Sequence, residues 1–405
     1  MPEKLAIDGG TPVRTAPMPP WPSPSEAQIA AVDSVLRSGH INYWTGDEGR
    51  SLEREYAAAL GLPHAVAVAN GTLALELALR ALGVGPGDEV VIPARSFIAT
   101  ASCAVAVGAT PVIADIDPES GNLTTETVAA VVSDRTAAVI AVHLGGWPVE
   151  MDPLLALAAE HGFRVIEDCA QSNGATYRGH PVGSLGDASC FSFCQDKIVA
   201  AGEGGLVAFR DETAYRRAWE YKDHGKSFAK FCDPAFLEQR ASFKWVHDSF
   251  GSNFRMPELE AAMARVGLRE LSAAHARRAR LAHWLVTGLK DVRGLRIPLP
   301  PQHAEHAFYR LYAAVQPSEL APDWDRDRIL FAINAEGTPV QYGSCAELYR
   351  EGAFASAGLG PAERLPGAAR AHETTLAFYV HPTLTGADID DVVAAVRKVM
   401  GVAAR

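Results

Sequence analysis

No run of 18 apolar residues occurs anywhere in this 405-residue chain, so no membrane-spanning helix is expected. The opening segment, Met1-Pro-Glu-Lys-Leu-Ala-Ile-Asp, lacks a charged-then-apolar leader, and a cytoplasmic protein is the expectation. Positive charge is in short supply. Lys and Arg number 37 against 48 Asp and Glu, and the net charge of −11 argues against the basic stripe of a nucleic-acid binder. An acidic chain can still hold a single phosphate on a helix end or one Arg. The six cysteines (Cys103, Cys169, Cys190, Cys194, Cys232, Cys345) include no Cys-x-x-Cys pair, and several sit in apolar runs. Buried, reduced thiols are expected rather than a disulfide framework. No His/Cys cluster has zinc-ligand spacing, so no metal is expected. Internal repeats and low-complexity tracts are absent as well.

What is present is an ordinary globular composition, with 48% hydrophobic and 21% charged residues, enough to build more than one core. Prolines crowd the first 25 residues (Pro12, Pro17, Pro19, Pro20, Pro22, Pro24), which read as an extended arm. From residue 26 short apolar runs alternate with helical patterns, as a parallel α/β sheet requires. Strands are expected at His64–Asn70, Glu89–Pro93, Thr110–Asp115, Ala137–His143, Phe163–Asp168, Ser189–Phe193 and Gly205–Phe209. Helices are expected at Leu73–Leu82 and Pro257–Leu289, the latter bridging to a smaller part with strand-like pieces at Phe308–Val315 and Thr338–Tyr342 and a closing helix, Asp388–Met400. The plan is an arm (1–25), a large domain (26–270) and a small C-terminal domain (271–405).

Three segments carry potential chemistry. Lysine is scarce, eight against 29 arginines, yet Lys197 sits among apolar and small residues in Phe191-Ser-Phe-Cys-Gln-Asp-Lys-Ile-Val-Ala-Ala-Gly-Glu-Gly-Gly205. Apolar surroundings favour the neutral amine of a lysine, which attacks an aldehyde carbon. A lysine in a surface turn before a hairpin is the plainer reading. Asp168 ends an apolar strand, where α/β folds place ligand-binding residues. It could pair with a protonated pyridine nitrogen, or cap a helix with Gln171 completing the box. Asn70-Gly-Thr72 before a helix suits a phosphate on free N–H groups, or a simple N-cap.

Together these segments resemble the DegT/DnrJ/EryC1/StrS family of pyridoxal-phosphate (PLP) dependent sugar aminotransferases. The resemblance covers nearly the whole chain: Asn70-Gly-Thr-Leu-Ala-Leu75, Pro93-Ala-Arg-Ser-Phe-Ile-Ala-Thr100, Asp115-Ile-Asp117, His143-Leu-Gly-Gly-Trp-Pro148, Glu167-Asp-Cys-Ala-Gln171, the Lys197 segment and Gly251-Ser-Asn-Phe-Arg-Met256. It implies the fold-type-I architecture of PLP-dependent transferases: a large domain with a mostly parallel sheet flanked by helices, plus a smaller α+β domain. It also implies roles. Lys197 would be the Schiff-base lysine and proton shuttle, and Asp168 would bind the ring nitrogen. Phe97 would stack on the cofactor ring, and Gln171 would lie near the cofactor oxygen. Gly71, Thr72 and Ser192 would hold the phosphate. Asn253 matches a residue contributed by the neighbouring subunit, which implies a homodimer with shared sites. Phe97 could equally be core, Ser192 could face away, and Asn253 could be a turn residue.

The resemblance implies amino transfer from an amino acid, with L-glutamate as the expected donor, to a keto group of a nucleotide-linked sugar. Two departures from the common nucleotide-sugar pattern, Gly145-Gly-Trp147 and Tyr342-Gly-Ser-Cys-Ala-Glu-Leu-Tyr349, touch the acceptor pocket and keep a free cyclitol or aminohydroxybenzoate precursor open. Trp44, Arg95, His143, Trp147, His224 and Tyr309 are candidate substrate residues, each also explicable as structural. Among rival readings, a sugar 3-dehydratase of the same fold would have His in place of Lys197. A PLP-binding regulator would be expected to show a basic arm or DNA-binding helices. A cofactor-free α/β protein would be colourless.

Overall fold

The computed structural model describes residues 4–238 and 243–405. Fourteen strands form three sheets among these residues. The first nine are β1 (His64–Val68), β2 (Glu89–Pro93), β3 (Thr110–Ala114), β4 (Thr136–Val142), β5 (Arg164–Asp168), β6 (Thr176–Tyr177), β7 (His180–Pro181), β8 (Ala188–Ser192) and β9 (Gly205–Phe209). The remaining five are β10 (Leu295–Arg296), β11 (Ala304–Glu305), β12 (Arg310–Val315), β13 (Val340–Gln341) and β14 (Thr375–Tyr379).

Seven strands make the main sheet in the order β1-β9-β8-β5-β4-β2-β3, with β9 alone running against the rest. Helices cover both faces, which is why β2, β8 and β9 are buried along their whole length and read as unbroken apolar runs. This is the expected α/β architecture with a mostly parallel sheet. A second sheet, β10-β12-β14-β13, is fully antiparallel and packs against helices Arg326–Ala335 and Gly386–Ala403 over its own core. A third, small sheet pairs β11 with β6 and β6 with β7.

Alternation along the strands decides which side chains reach which face. Val91, Val139 and Val165 enter one core, while Val90, Ile92, Ile140 and Ile166 enter the other, beneath the helix Gly71–Ala81. Glu167 therefore belongs to the first face. Asp168 belongs to the second, opposite Cys190 in the β5–β8 register, and Ser192 follows two residues on along β8. The topology alone brings Asp168, Cys190 and Ser192 together at the carboxyl end of the sheet.

The helix Glu258–Leu289 spans 32 residues. Ala261 and Ala264 pack into the first core of the main sheet, and Leu281, Leu285 and Leu289 pack into the core of the second sheet. We propose the division at residues 25 and 270 as the domain plan, with this unbroken helix as the connection. The arm docks on the C-terminal part: Arg14 pairs with Asp388 and Asp391, and Lys398 donates to Thr11 O.

Of the six cysteines, all unbridged, Cys103, Cys169 and Cys190 are buried, Cys194 is half-buried, and Cys232 and Cys345 are exposed. The expectation of buried thiols thus holds for three of them. No helix among the described residues is long and apolar enough to cross a membrane.

Candidate active site

A cavity of about 1040 Å³ opens at the carboxyl end of the main sheet. One end is a turn-and-helix cradle. Asn70 caps the helix Gly71–Ala81, its side-chain oxygen accepting the Leu73 N–H at 2.9 Å, so Asn70 and not Thr72 is the N-cap. The Gly71 and Thr72 amides remain at the helix start, where the dipole favours an anion. A Cβ on Gly71 would lie 2.8 Å from Ser192 Cβ, and one on Gly205 would lie 2.4 Å from Asn70 O. Glycine at both positions lets the turn close against the ends of β8 and β9. The cradle between Gly71, Thr72 and Ser192 offers donors suited to a phosphate group.

Asp168 lines the cavity where β5 stops. No helix follows; Asp168 Oδ1 instead accepts the Ala170 N–H at 3.1 Å in a local turn. Oδ2 takes no hydrogen bond from any described residue and is free to accept one from a ligand. Burial pushes the Asp168 carboxyl above its ordinary value, opposed by the Ala170 N–H, Lys197 and His143. A cationic N–H in the cavity would complete this environment.

Lys197 enters from the loop joining β8 to β9. Its Nζ lies 3.9 Å from Asp196 Oδ1 and 4.8 Å from the centre of the Tyr309 ring. Tyr309 hydrogen-bonds through its hydroxyl to Asp196 Oδ2, and burial, the largest influence, raises the phenol above its usual range. The arm reaches this loop too, with Trp21 Nε1 donating to Asp196 O at 3.2 Å. Phe97 stands in the cavity wall with 67% of its surface exposed, an aromatic face open to a planar ligand. Gln171 is held at both ends of its amide: Oε1 accepts the Gly145 N–H at 2.7 Å, and Nε2 donates to Ser344 Oγ at 3.3 Å.

The cavity thus gathers Gly71, Thr72, Phe97, Asp168, Gln171, Ser192, Lys197 and Tyr309. The other candidates lie outside its lining. His143 is fully buried, its Nδ1 accepting the Val149 N–H and its Nε2 facing Glu167. Arg95 is buried under the Tyr312 ring at 4.5 Å, and burial lowers its pKa. Trp147 packs toward His306. Trp44 joins Trp219 and Phe231 in an aromatic cluster beneath Lys226, while the exposed His224 and Asn253 sit on the neighbouring turns. His143, Glu167 and Cys169 bring potential metal-ligand atoms within 4.8 Å of one another. Glu167 already accepts the N–H groups of Gly183, Leu185 and Gly186, so the trio is a hydrogen-bonded core cluster.

Reading the sequence missed Asp196, Glu203 and Arg310, all of which line the cavity. Asp196 immediately precedes Lys197, and Arg310 follows Tyr309, so adjacency to two chosen residues was the available signal.

The model of the DegT/DnrJ/EryC1/StrS aminotransferase family matches residues 22–397. The chain belongs to this family. An L-glutamine:2-deoxy-scyllo-inosose aminotransferase of Streptoalloteichus tenebrarius is 36% identical over 422 residues, spanning 99% of this chain and 98% of that one. A UDP-N-acetyl-3-dehydro-alpha-D-glucosamine 3-aminotransferase of Acidithiobacillus ferrooxidans is 39% identical over 293 residues, 72% of this chain and 73% of its own. The solved structure of an aminotransferase from Psychrobacter cryohalolentis superposes with a TM-score of 0.92 at 44% identity, covering 95% of this chain and 99% of that one. The protein is a PLP-dependent aminotransferase in a family of sugar aminotransferases.

The residues present fit PLP. An anion cradle lies at one end of the cavity, an exposed aromatic face at its wall, a buried carboxylate with an unspent oxygen at its floor, and a lysine amine beside them.

Proposed function

We propose that this aminotransferase moves an amino group from an amino acid, L-glutamate as the first choice, to a keto group of a nucleotide-linked sugar. The supporting observation is the reach of the cavity. Its volume of about 1040 Å³ stands at the top of the range for ligand pockets, roughly 300–1,000 Å³, and its lining extends beyond the residues assigned to the cofactor to Gln341, Glu351 and Ala353. The relative acting on a UDP-linked sugar agrees with this choice. The relative acting on 2-deoxy-scyllo-inosose, which aligns over 99% of the chain, favours a second reading, amination of a free cyclitol ketone.

Bound PLP supplies an aldehyde that accepts the amino group and a ring that draws electrons from the reacting carbon. In the reading proposed, Lys197 would hold the cofactor through Nζ. As a free amine, Lys197 Nζ would carry the proton from the donor α-carbon. Asp168 Oδ2 would accept the ring N–H and favour its protonated form. Gly71, Thr72 and Ser192 would bind the phosphate, Phe97 would stack on the ring, and Gln171, immobilised by Gly145 and Ser344, would lie near the ring oxygen. The two halves of the reaction share one site, which gives ping-pong kinetics.

A homodimer with shared sites belongs to this proposal. Phe243, Trp245 and Phe250 are exposed at 74%, 76% and 101%, on the stretch of chain that also carries Asn253. So dense an apolar surface suits a second copy, which would bring Asn253, and with it His224 and Trp44, toward the partner's cavity. The unbridged cysteines suit a reducing, cytoplasmic setting.

An amine-transfer screen tests the proposal. Glutamate and glutamine are each paired with UDP- and dTDP-linked 3-keto and 4-keto sugars and with free keto-cyclitols, and aminated products are read by mass spectrometry. Aminated nucleotide sugars support the first reading. Products from nucleotide-free ketones alone replace it with the second.

A further inference from the structure

The cavity wall is acidic. Asp168, Asp196, Glu203 and Glu351 line it, and among the described residues its cations are Lys197 and Arg310. An α-amino-acid donor carries at least one carboxylate into this wall, and an acidic surround repels it unless a cation receives it. Lys197 is occupied with the transfer itself. Arg310 is the cation that remains.

Arg310 is built as a fixed receptor. The residue is 8% exposed, and its guanidinium lies over the rings of Tyr309 and Tyr379, at 4.2 and 4.6 Å from their centres. Nη1 donates to Tyr309 O at 2.9 Å. Nη2 reaches Asp196 Oδ2 at 3.4 Å, a long and therefore weak hydrogen bond. The Asp196 side chain is 47% exposed. A rigid, buried arginine is thus paired loosely with a carboxylate that stands half in water, a pairing suited to exchange.

A buried cation left without an anion is costly, whereas replacing one carboxylate by another is nearly neutral. We propose that Arg310 binds the α-carboxylate of the amino donor and that Asp196 is its exchangeable counter-ion. When the donor enters, its carboxylate takes Arg310 Nη2 from Asp196. When a ketone whose reacting ring bears no carboxylate follows, Asp196 takes the arginine back. One cavity thereby serves an anionic donor and an uncharged ring in turn. This inference rests on the aminotransferase reading with an amino-acid donor.

The test uses purified holoenzyme and separates the two half-reactions. The donor half is followed by cofactor absorbance over a range of glutamate concentrations. The acceptor half starts from the pyridoxamine-loaded enzyme. Glutarate, a dicarboxylate with no amino group, is titrated by calorimetry in parallel. For Arg310→Gln the donor half-saturation concentration and the glutarate Kd are expected to rise roughly 100-fold, and the acceptor half-reaction to change less than about fivefold. Asp196→Asn removes the competing carboxylate, and glutarate is expected to bind several-fold tighter. Unchanged glutarate affinity in both variants overturns the proposal, as does an equal loss in both half-reactions. If Arg310→Gln does not fold, Arg310→Lys and Asp196→Asn decide by the same titration. Because glutarate binding needs no turnover, a wild-type enzyme that binds glutarate through Arg310 yet aminates no ketone refutes the acceptor proposal and supports the clamp.

Discussion

Glu167 and Asp168 are neighbours on β5 that serve opposite faces of one sheet. Asp168 faces the cavity, while Glu167 turns into the core, where Oε2 lies 3.2 Å from His143 Nε2 and the two oxygens accept N–H groups from Gly183, Leu185 and Gly186 at 2.7–2.8 Å. Burial by itself would raise the Glu167 carboxyl. His143 and the Gly186 and Gly183 N–H groups outweigh it and hold the group below the usual carboxylate range. His143 Nδ1 accepts the Val149 N–H, so the proton on this imidazole sits on Nε2 and points at Glu167. This fully bonded carboxylate pins the end of β5 from behind and so sets where Asp168 stands.

Replacing Glu167 by Gln puts an NH₂ where an oxygen now receives donors, and two donors then face each other. The variant should lose about 3 kcal/mol of stability in urea unfolding. Activity should fall through displacement of Asp168. A variant as stable as the parent would contradict the clamp.

Lys197→Ala should remove at least about 10³-fold of turnover, because the covalent link and the proton shuttle disappear together. Borohydride reduction followed by peptide mass analysis should find cofactor fixed at residue 197 in the parent and nowhere in the variant. Circular dichroism should be unchanged, since Lys197 sits at the cavity and not in a core. A retained adduct at another lysine would refute the assignment.

Asp168→Asn keeps the shape of the side chain and removes its charge. An amide cannot hold the ring nitrogen protonated, so turnover should fall by about 10²–10³-fold with cofactor still bound. Asp168→Glu should recover part of the loss, because the charge returns with a displaced geometry. Steady-state rates at matched cofactor occupancy check both.

The sequence was most legible where burial is continuous. Glu89–Pro93 and Gly205–Phe209 are strands over the very residues expected, because both faces of the sheet are covered and the apolar run has no reason to break. It was least legible where side chains replace backbone partners. Thr338–Tyr342 was expected to be extended, but the strand is only Val340–Gln341. Thr338 Oγ1 turns back to Ile333 O, and the Asn334 amide brackets Val340 by bonding both its N–H and its carbonyl. The piece expected from Phe308 begins as β12 at Arg310, since Phe308 adopts a left-handed φ of 53° that no strand accommodates. The site divides in the same way. Asp168 is a candidate from the strand it ends and Lys197 from its apolar setting, each beside a plainer reading, and the family resemblance is what joins them. The Arg310–Asp196 contact joins positions 114 apart, and only the folded chain brings them together.

Two buried histidines contribute to the response to acid. His306 accepts the Phe308 N–H on Nδ1, and burial, helped by nearby His275, holds its pKa down to about 3. Burial, with Arg278 and Arg310 adding to it, holds His381 down to about 4. Each takes up a proton near pH 6.5 once the chain unfolds. Below that pH the unfolded state binds more protons than the folded state, so stability falls as pH drops from about 6.5 toward about 4 for His381 and about 3 for His306. Each group contributes a slope of about 1.4 kcal/mol per pH unit. His306→Gln removes one of the two. Between pH 7 and pH 4.5 the parent should lose about 2.5 kcal/mol more stability than this variant in denaturant unfolding. Buried carboxylates raised by desolvation, such as Asp168, act in the opposite direction but are common to both proteins, so the difference isolates the imidazole. Parallel pH profiles would mean that His306 is already protonated in the folded enzyme, and a charged ring cannot accept the Phe308 N–H.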